Sequence, residues 1–168
     1  MKITVLTPTF NEKDNIKDLY LQIKDIFTEI NYQYEHLVID NASNDGTIPI
    51  LKEIASKDKN FKVIINNKNY GHIRSPFYGL QQCNSDAVIL MASDFQDPVD
   101  LIPRYIKEWE KGNKIILGEK ITSNENKLKS FFRKLFYKFL NKISDIKLTS
   151  NTTGSGIFDK SVIDKIKN

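Results

Sequence analysis

The sequence predicts an α/β domain built on a mostly parallel sheet with helices on both faces, and three observations carry that prediction. Short apolar runs alternate with stretches of helical spacing from the first residues to about Gly118. Each apolar run ends in a polar loop rather than a two-residue hairpin turn, so successive strands are joined by helical crossovers. The sharpest of these ends is Ala87-Val88-Ile89-Leu90-Met91, which gives way to Ala92-Ser93-Asp94-Phe95-Gln96-Asp97-Pro98. There a buried strand delivers two carboxylates and an amide to the edge of a sheet, and a proline then starts a new helical pattern. Open sheets of this kind bind ligands beyond the carboxyl ends of their strands.

Taken in order, Ile3-Thr4-Val5-Leu6-Thr7 reads as a first strand, opened by Pro8 into the polar loop Thr9-Phe10-Asn11-Glu12. Ile16, Leu19, Tyr20, Ile23, Ile26, Phe27 and Ile30 recur at helical spacing, with Asp14 and Asp18 near the N-terminal end, where they suit the helix dipole. His36-Leu37-Val38-Ile39-Asp40 is a second strand that ends on a carboxylate, followed by a dense turn cluster from Asn41 to Gly46. Thr47 and Pro49 suit a helix start, with Ile50, Leu51 and Ile54 as its buried stripe. Phe61 to Ile65 is a third strand, a helical stretch covers about 74 to 84, and a fourth strand covers 86 to 92. Val99 to Trp109 is helical, and Lys114 to Gly118 is a fifth strand. A polar segment from Ile121 to Lys127 precedes a basic amphipathic helix whose stripe runs Leu128, Phe131, Phe132, Leu135, Phe136, Phe139, Leu140, Ile143. The chain closes on Gly154-Ser155-Gly156-Ile157-Phe158 and a short helical pattern through Ile166, without a clear cap, as a truncated chain would. The expected organisation is an α/β core over 1–120 followed by a segment over 121–168 that carries the basic amphipathic helix, in the same domain.

The 168 residues suit one well-buried domain, and 40% hydrophobic with 27% charged residues is ordinary for a globular protein. No run approaches the roughly 20 apolar residues of a membrane span, and the start does not read as a signal peptide. A single cysteine, Cys83, leaves no internal disulfide and fits a reducing compartment, so a cytoplasmic location is expected. The net charge of +4 is concentrated. Residues 127–142 hold six Lys or Arg and no acid, while the rest of the chain carries 19 basic and 21 acidic side chains, a net of −2. That asymmetry argues against a nucleic-acid partner and for a localised anionic one.

Several residues can carry chemistry, each with a plainer role beside it. Asp94 and Gln96 stand two apart in an extended segment and can reach one hard cation, which favours oxygen ligands; Asp97-Pro98 can equally be the start of a helix with Asp97 as N-cap. Asp40 can accept from a nucleobase edge or cap the turn that follows it. The Thr7–Glu12 loop can clamp a nucleoside or simply punctuate a strand-to-helix passage. His72 and Arg74 can touch a diphosphate or sit in a solvated loop, while His36 and Cys83 read as structural. The basic helix has a core-facing stripe or lies on an anionic membrane surface. No glycine-rich phosphate loop is present, which disfavours kinases, GTPases and dehydrogenases.

The order Pro8-Thr9-Phe10-Asn11-Glu12, Ile39-Asp40-Asn41-Ala42-Ser43-Asn44-Asp45-Gly46-Thr47, Asn69-Tyr70-Gly71-His72 and Ser93-Asp94-Phe95-Gln96-Asp97-Pro98 closely resembles the family 2 glycosyltransferases of the GT-A fold, in their polyprenyl- and dolichyl-phosphate branch. The resemblance implies a GT-A (Rossmann-like) fold and a metal-dependent, inverting hexosyltransferase-type enzyme. Such an enzyme moves sugar from a nucleotide-sugar donor to a polyprenyl phosphate or a growing glycan, in cell-envelope polysaccharide biosynthesis. It implies that Pro8, Thr9, Asn11, Glu12, Asp40 and Asp94 bind the nucleotide, that Asp94 and Gln96 hold Mg2+ or Mn2+, and that Asp97 faces the reaction. Lys120 and Arg133 match positions of positive groups near the diphosphate or acceptor phosphate. A peripheral place on the inner face of the membrane follows from such an acceptor. Three departures stand out: Ala92 where the family has the first acid of an Asp-Ala-Asp triplet, Asn41 in place of the second acid after strand two, and no acid in Thr152-Thr153-Gly154-Ser155-Gly156. Ala92 and the uncapped close of the pattern support an alternative, a catalytically weakened or inactive nucleotide-binding module derived from such an enzyme.

Overall fold

A computed structural model describes residues 1–119 and 152–167. Lys120, Arg133 and the basic helix expected over 127–143 lie outside the described residues. Six strands are present among those described: β1 (Lys2–Thr9), β2 (Gln33–Asp40), β3 (Phe61–Ile65), β4 (Ala87–Leu90), β5 (Ile115–Glu119) and β6 (Thr152–Asp159). Five helices accompany them: α1 (Ile16–Glu29), α2 (Thr47–Lys57), α3 (Gly71–Gln82), α4 (Leu101–Glu110) and α5 (Lys160–Lys167). The sheet order is β3-β2-β1-β4-β6-β5. The chain forms two compact units, Met1–Ile116 with Gly154–Asn168, and Leu117–Thr153. Of the second, the described residues show the Thr153 hydroxyl 3.5 Å from the Gly118 carbonyl.

β1, β2, β3 and β4 run parallel, which requires the helical crossovers that the spacing predicts. The register aligns the ends of three strands, with Thr9 opposite Asp40 and Asp40 opposite Ile65. Because β1 leads outward to β2 and β3 on one side while β4 lies on the other, the strand order reverses between β1 and β4. That crevice is where an α/β sheet receives a ligand.

Side chains alternate along each strand and divide the core into two layers. One layer packs α1, α2 and α4, through Ile16, Leu19, Ile23, Leu51, Ile102 and Ile106, against Ile3, Val5, Val38 and Ile89. The other packs Leu80, Cys83 and Ile163 against Leu6, Leu37, Ile39 and Val88. α3 lies close on the sheet because Gly79 faces it: a Cβ there would stand 2.8 Å from a Leu6 methyl. His36 is fully enclosed, its Nε2 3.0 Å from the Thr7 hydroxyl, and burial pushes its pKa down to about 3, so the ring is neutral. Burial pushes the Cys83 thiol up to about 12, which makes it a packed side chain rather than a nucleophile.

The structure adds β6, an element absent from the sequence reading. It pairs antiparallel with β4, with Ala87 opposite Asp159 and Leu90 opposite Gly156, and returns the end of the chain to the core. Asp159 anchors it by accepting from Trp109 Nε1 at 2.8 Å and from Lys114 Nζ at 3.2 Å. Burial opposes the charged form, but Ser161, Trp109 and Lys114 together hold this carboxyl well below its usual range. Helix starts also shift: α3 begins at Gly71 rather than about 74, and α4 at Leu101 rather than Val99.

Candidate active site

The loops after β1 and β2 are joined by side chains of the second that receive backbone N–H groups of the first. Asn11 N donates to Ser43 Oγ at 2.8 Å, Glu12 N to Thr47 Oγ1 at 2.9 Å, and Lys13 N to Asp45 Oδ2 at 3.2 Å. In return Asn44 N donates to Asn11 Oδ1 at 3.0 Å, and Asn41 N to the Thr9 carbonyl at 2.8 Å. This is why the turn cluster is so rich in Asn, Asp, Ser and Thr: Asn41, Ser43, Asp45 and Thr47 each supply a side-chain oxygen to a backbone donor outside the strand ladders. Partial burial raises the pKa of Asp45, yet donation from Thr47 and Lys13 more than offsets it, and the carboxyl sits below its usual range. Pro8, Thr9, Asn11, Glu12 and Asp40 are thereby brought to one edge.

Within that edge Asp40 performs the turn-capping role. It is fully buried and accepts from Ser43 N at 2.9 Å and Ser43 Oγ at 2.6 Å. Thr9 Oγ1 is buried beside it with no hydrogen-bond partner among the described residues. Asn41 ties the edge to the loop after β3. Its Oδ1 accepts from Tyr70 N at 2.8 Å and Asn66 Nδ2 at 3.2 Å, and its Nδ2 donates to Asn69 Oδ1 at 2.8 Å and the Gly71 carbonyl at 3.3 Å. A backbone donor on one side and a backbone acceptor on the other determine the amide's orientation. An aspartate could not make both kinds of bond.

The β4 edge is more open. Ser93 turns inward and donates to the Pro8 carbonyl at 3.2 Å, linking it to the β1 loop across the crevice. Ala92, Asp94 and Gln96 point outward and are exposed, whereas Asp97 is buried at 7% exposure. Gln96 donates to Asp94 through its side-chain amide at 2.6 Å and its backbone N at 3.2 Å, so both head groups converge on one point. Two oxygen-bearing groups on one exposed turn fit a hard cation that takes its other ligands from phosphate and water; Gln96 would rotate its amide to present oxygen. Among the described residues no group of three or more His, Cys, Asp or Glu could hold a metal. Asp97 does not cap α4, whose N-cap is Asp100. It lies instead near Tyr105, whose phenol is raised by burial and by the Asp97 charge while Oη meets Ser155 Oγ at 3.0 Å.

Backbone strain gathers here as well. The three non-glycine residues with positive φ among those described are Asn11 (57°), Ala42 (66°) and Phe95 (56°), one in each of the loops after β1, β2 and β4. A cavity of about 520 Å³ opens at the end of β3, lined by Asn66, Asn67, Tyr70 and Arg74 among others. Arg74 is thus brought to the site's border, while His72 is exposed and lines no part of it. Ser43 and Asn41 are the organising residues that sequence reasoning missed as partners. The dense turn cluster from Asn41 to Gly46 was the signal for both, and for Asn41 the asparagines at 66, 67 and 69 as well.

A family model described as Glycosyl transferase family 2 matches residues 4–167. A bactoprenol glucosyl transferase of Shigella phage SfX is 32% identical over 169 residues, an alignment covering 99% of this chain and 55% of that protein. The chain spans about half the length of the curated relatives it matches. Among solved structures, glucosyl-3-phosphoglycerate synthase from Mycobacterium tuberculosis, with Mn2+, UDP and glucosyl-3-phosphoglycerate, superposes with a TM-score of 0.67 at 16% identity over 96% of this chain and 57% of its own. S. aureus TarS 1-349 with UDP-GlcNAc gives 0.62 at 19% identity over 98% and 47%. These likenesses show the fold, which is GT-A.

Proposed function

The chain belongs to glycosyl transferase family 2, and from that premise we propose that it forms the donor-binding part of an inverting transferase. That enzyme moves a hexosyl group from a nucleotide sugar to an acceptor, a polyprenyl phosphate at the membrane surface in preference to a growing glycan. The observation that carries this reading is the match to a bactoprenol glucosyl transferase along 99% of the chain. The meeting of the β1, β2 and β4 loops at the reversal of strand order supports it. Cell-envelope polysaccharide synthesis, on the cytoplasmic side with peripheral membrane attachment, is the setting that fits such an acceptor. No described helix is long and apolar enough to cross a membrane.

In this mechanism Pro8, Thr9, Asn11 and Glu12 line the nucleoside, and Asp40 sets the wall behind it through Ser43. Asp94 and Gln96 would hold Mg2+ or Mn2+, which when bound neutralises charge on the departing diphosphate. Lys120 and Arg133 add positive charge toward the diphosphate or acceptor phosphate. Asp97 borders the sugar. The acceptor phosphate attacks the anomeric carbon opposite the leaving group and inverts it. A phosphate is already anionic at neutral pH, so the lack of an acid in Thr152–Gly156 is no obstacle to this chemistry.

Calorimetric titration with UDP, GDP and dTDP in the presence of Mn2+ tests the donor half. One of them should bind, with binding lost on chelation; no binding by any would sink the proposal. The exposed Ala92 beside Asp94 favours a second reading, a weakened nucleotide-binding module. Equal rates of sugar-nucleotide turnover in the native protein and in Asp94→Ala would favour that module.

A further inference from the structure

α3 has its hydrophobic side facing outward. Its core-facing positions are small or few, with Ser75, Gly79 and Leu80 buried. Its outward arc carries Ile73 at 71% exposure, Phe77 at 46% and Tyr78 at 47%, with Tyr70 at 40% just ahead of the helix. A soluble helix normally shows the reverse arrangement, and clustered exposed apolar side chains mark an interaction surface. The charge pattern indicates what that surface meets. From Asn66 to Ser85 there is no acidic residue, while Lys68 and Arg74 are cationic. Lys68 Nζ lies over the Tyr70 ring at 5.2 Å, placing a cation beside an exposed aromatic. Apolar and aromatic side chains on a stretch of chain with two cations and no acid suit an anionic bilayer, where rings settle at the headgroup level and Lys or Arg meet lipid phosphates. The patch is also well placed. Tyr70 is bonded through its N–H to Asn41, so the apolar patch begins at the sheet edge that bears the donor site.

We infer that the outward face of α3, centred on Ile73 and Phe77, docks on an anionic lipid surface and sets the donor site against the membrane. The inference deepens the reading of a lipid-borne acceptor and rests on it. Co-sedimentation with vesicles of phosphatidylglycerol and phosphatidylcholine in equal parts, beside vesicles of phosphatidylcholine alone, tests it. The native chain should bind the anionic vesicles, and the double variant Ile73→Ser, Phe77→Ser should bind at least ~10-fold more weakly, since each truncation removes apolar contact with the bilayer. Both positions are exposed, so melting of the variant and its nucleoside-diphosphate titration should match the native chain. In a second measurement, Phe77→Trp emission should shift to the blue on adding anionic vesicles. Equal vesicle binding by native and double variant would overturn the inference, as would a native chain that binds no vesicles. Loss of self-association in the variant with vesicle binding unchanged would overturn it too, by giving the patch to a second copy. Failure of the nucleotide titration alone would instead count against the donor site and leave the lipid-docking inference in place.

Discussion

The carboxyl ends of β2 and β4 face the same crevice but are built in opposite ways. At β2, Asp40, Asn41, Ser43 and Asp45 bond to one another or to neighbouring loops, and Asp40 is fully buried. At β4, Asp94 and Gln96 are exposed and, among the described residues, bond to each other alone. The difference teaches that one end is satisfied internally while the other leaves its polar groups open to solvent. Polar groups that satisfy one another in a buried place give rigidity. Polar groups held together at an exposed edge keep their remaining lone pairs for a ligand.

The comparison breaks most visibly at Asp94. Asp94→Ala should lower Mn2+-supported nucleotide affinity by about 100-fold while leaving urea unfolding nearly unchanged, because the side chain is exposed. Asn41→Asp should do the converse at the β2 end. It removes donation to Asn69 Oδ1 and to the Gly71 carbonyl, and should cost about 2 kcal/mol in denaturant unfolding. A variant that unfolds like the native chain would show that the loop after β3 is held by other means.

Two milder changes sharpen the contrast. Ala92 is exposed, two residues before the exposed Asp94, so Ala92→Asp should raise Mn2+ affinity by about 10-fold in a calorimetric titration. Ala42 holds a φ of 66° with a methyl side chain, so Ala42→Gly should stabilise by about 0.5–1 kcal/mol in thermal unfolding. Phe95→Gly, at a φ of 56°, should show no such gain, because Phe95 packs against the core and would lose that contact.

Much of this layout was legible beforehand, for reasons that vary from element to element. α1 and α4 carry apolar stripes long enough to identify, and the four parallel strands carry apolar runs that end in polar loops. β6 was not legible. Gly154 and Gly156 interrupt its pattern, and it is a strand because β4 offers an unpaired edge for it. In the site, Asp40 and Asp94 were both recognisable as carboxylates ending a strand. Which of them faces inward was not, since Asp40 is enclosed by Ser43 in a turn with four other polar candidates.

By itself the sequence determined the α/β alternation, the order of the loops and the residue types at each strand end, because spacing and turn chemistry are local properties. Only the tertiary structure decided which polar groups satisfy one another. The register that sets Thr9 beside Asp40 and Asp40 beside Ile65 brings together loops distant in the chain. Hydrogen bonds and burial depend on that proximity rather than on any residue's own neighbours. The outward hydrophobic face of α3 has the same origin: Gly79 draws the helix close to the sheet, leaving Ile73 and Phe77 on the outside.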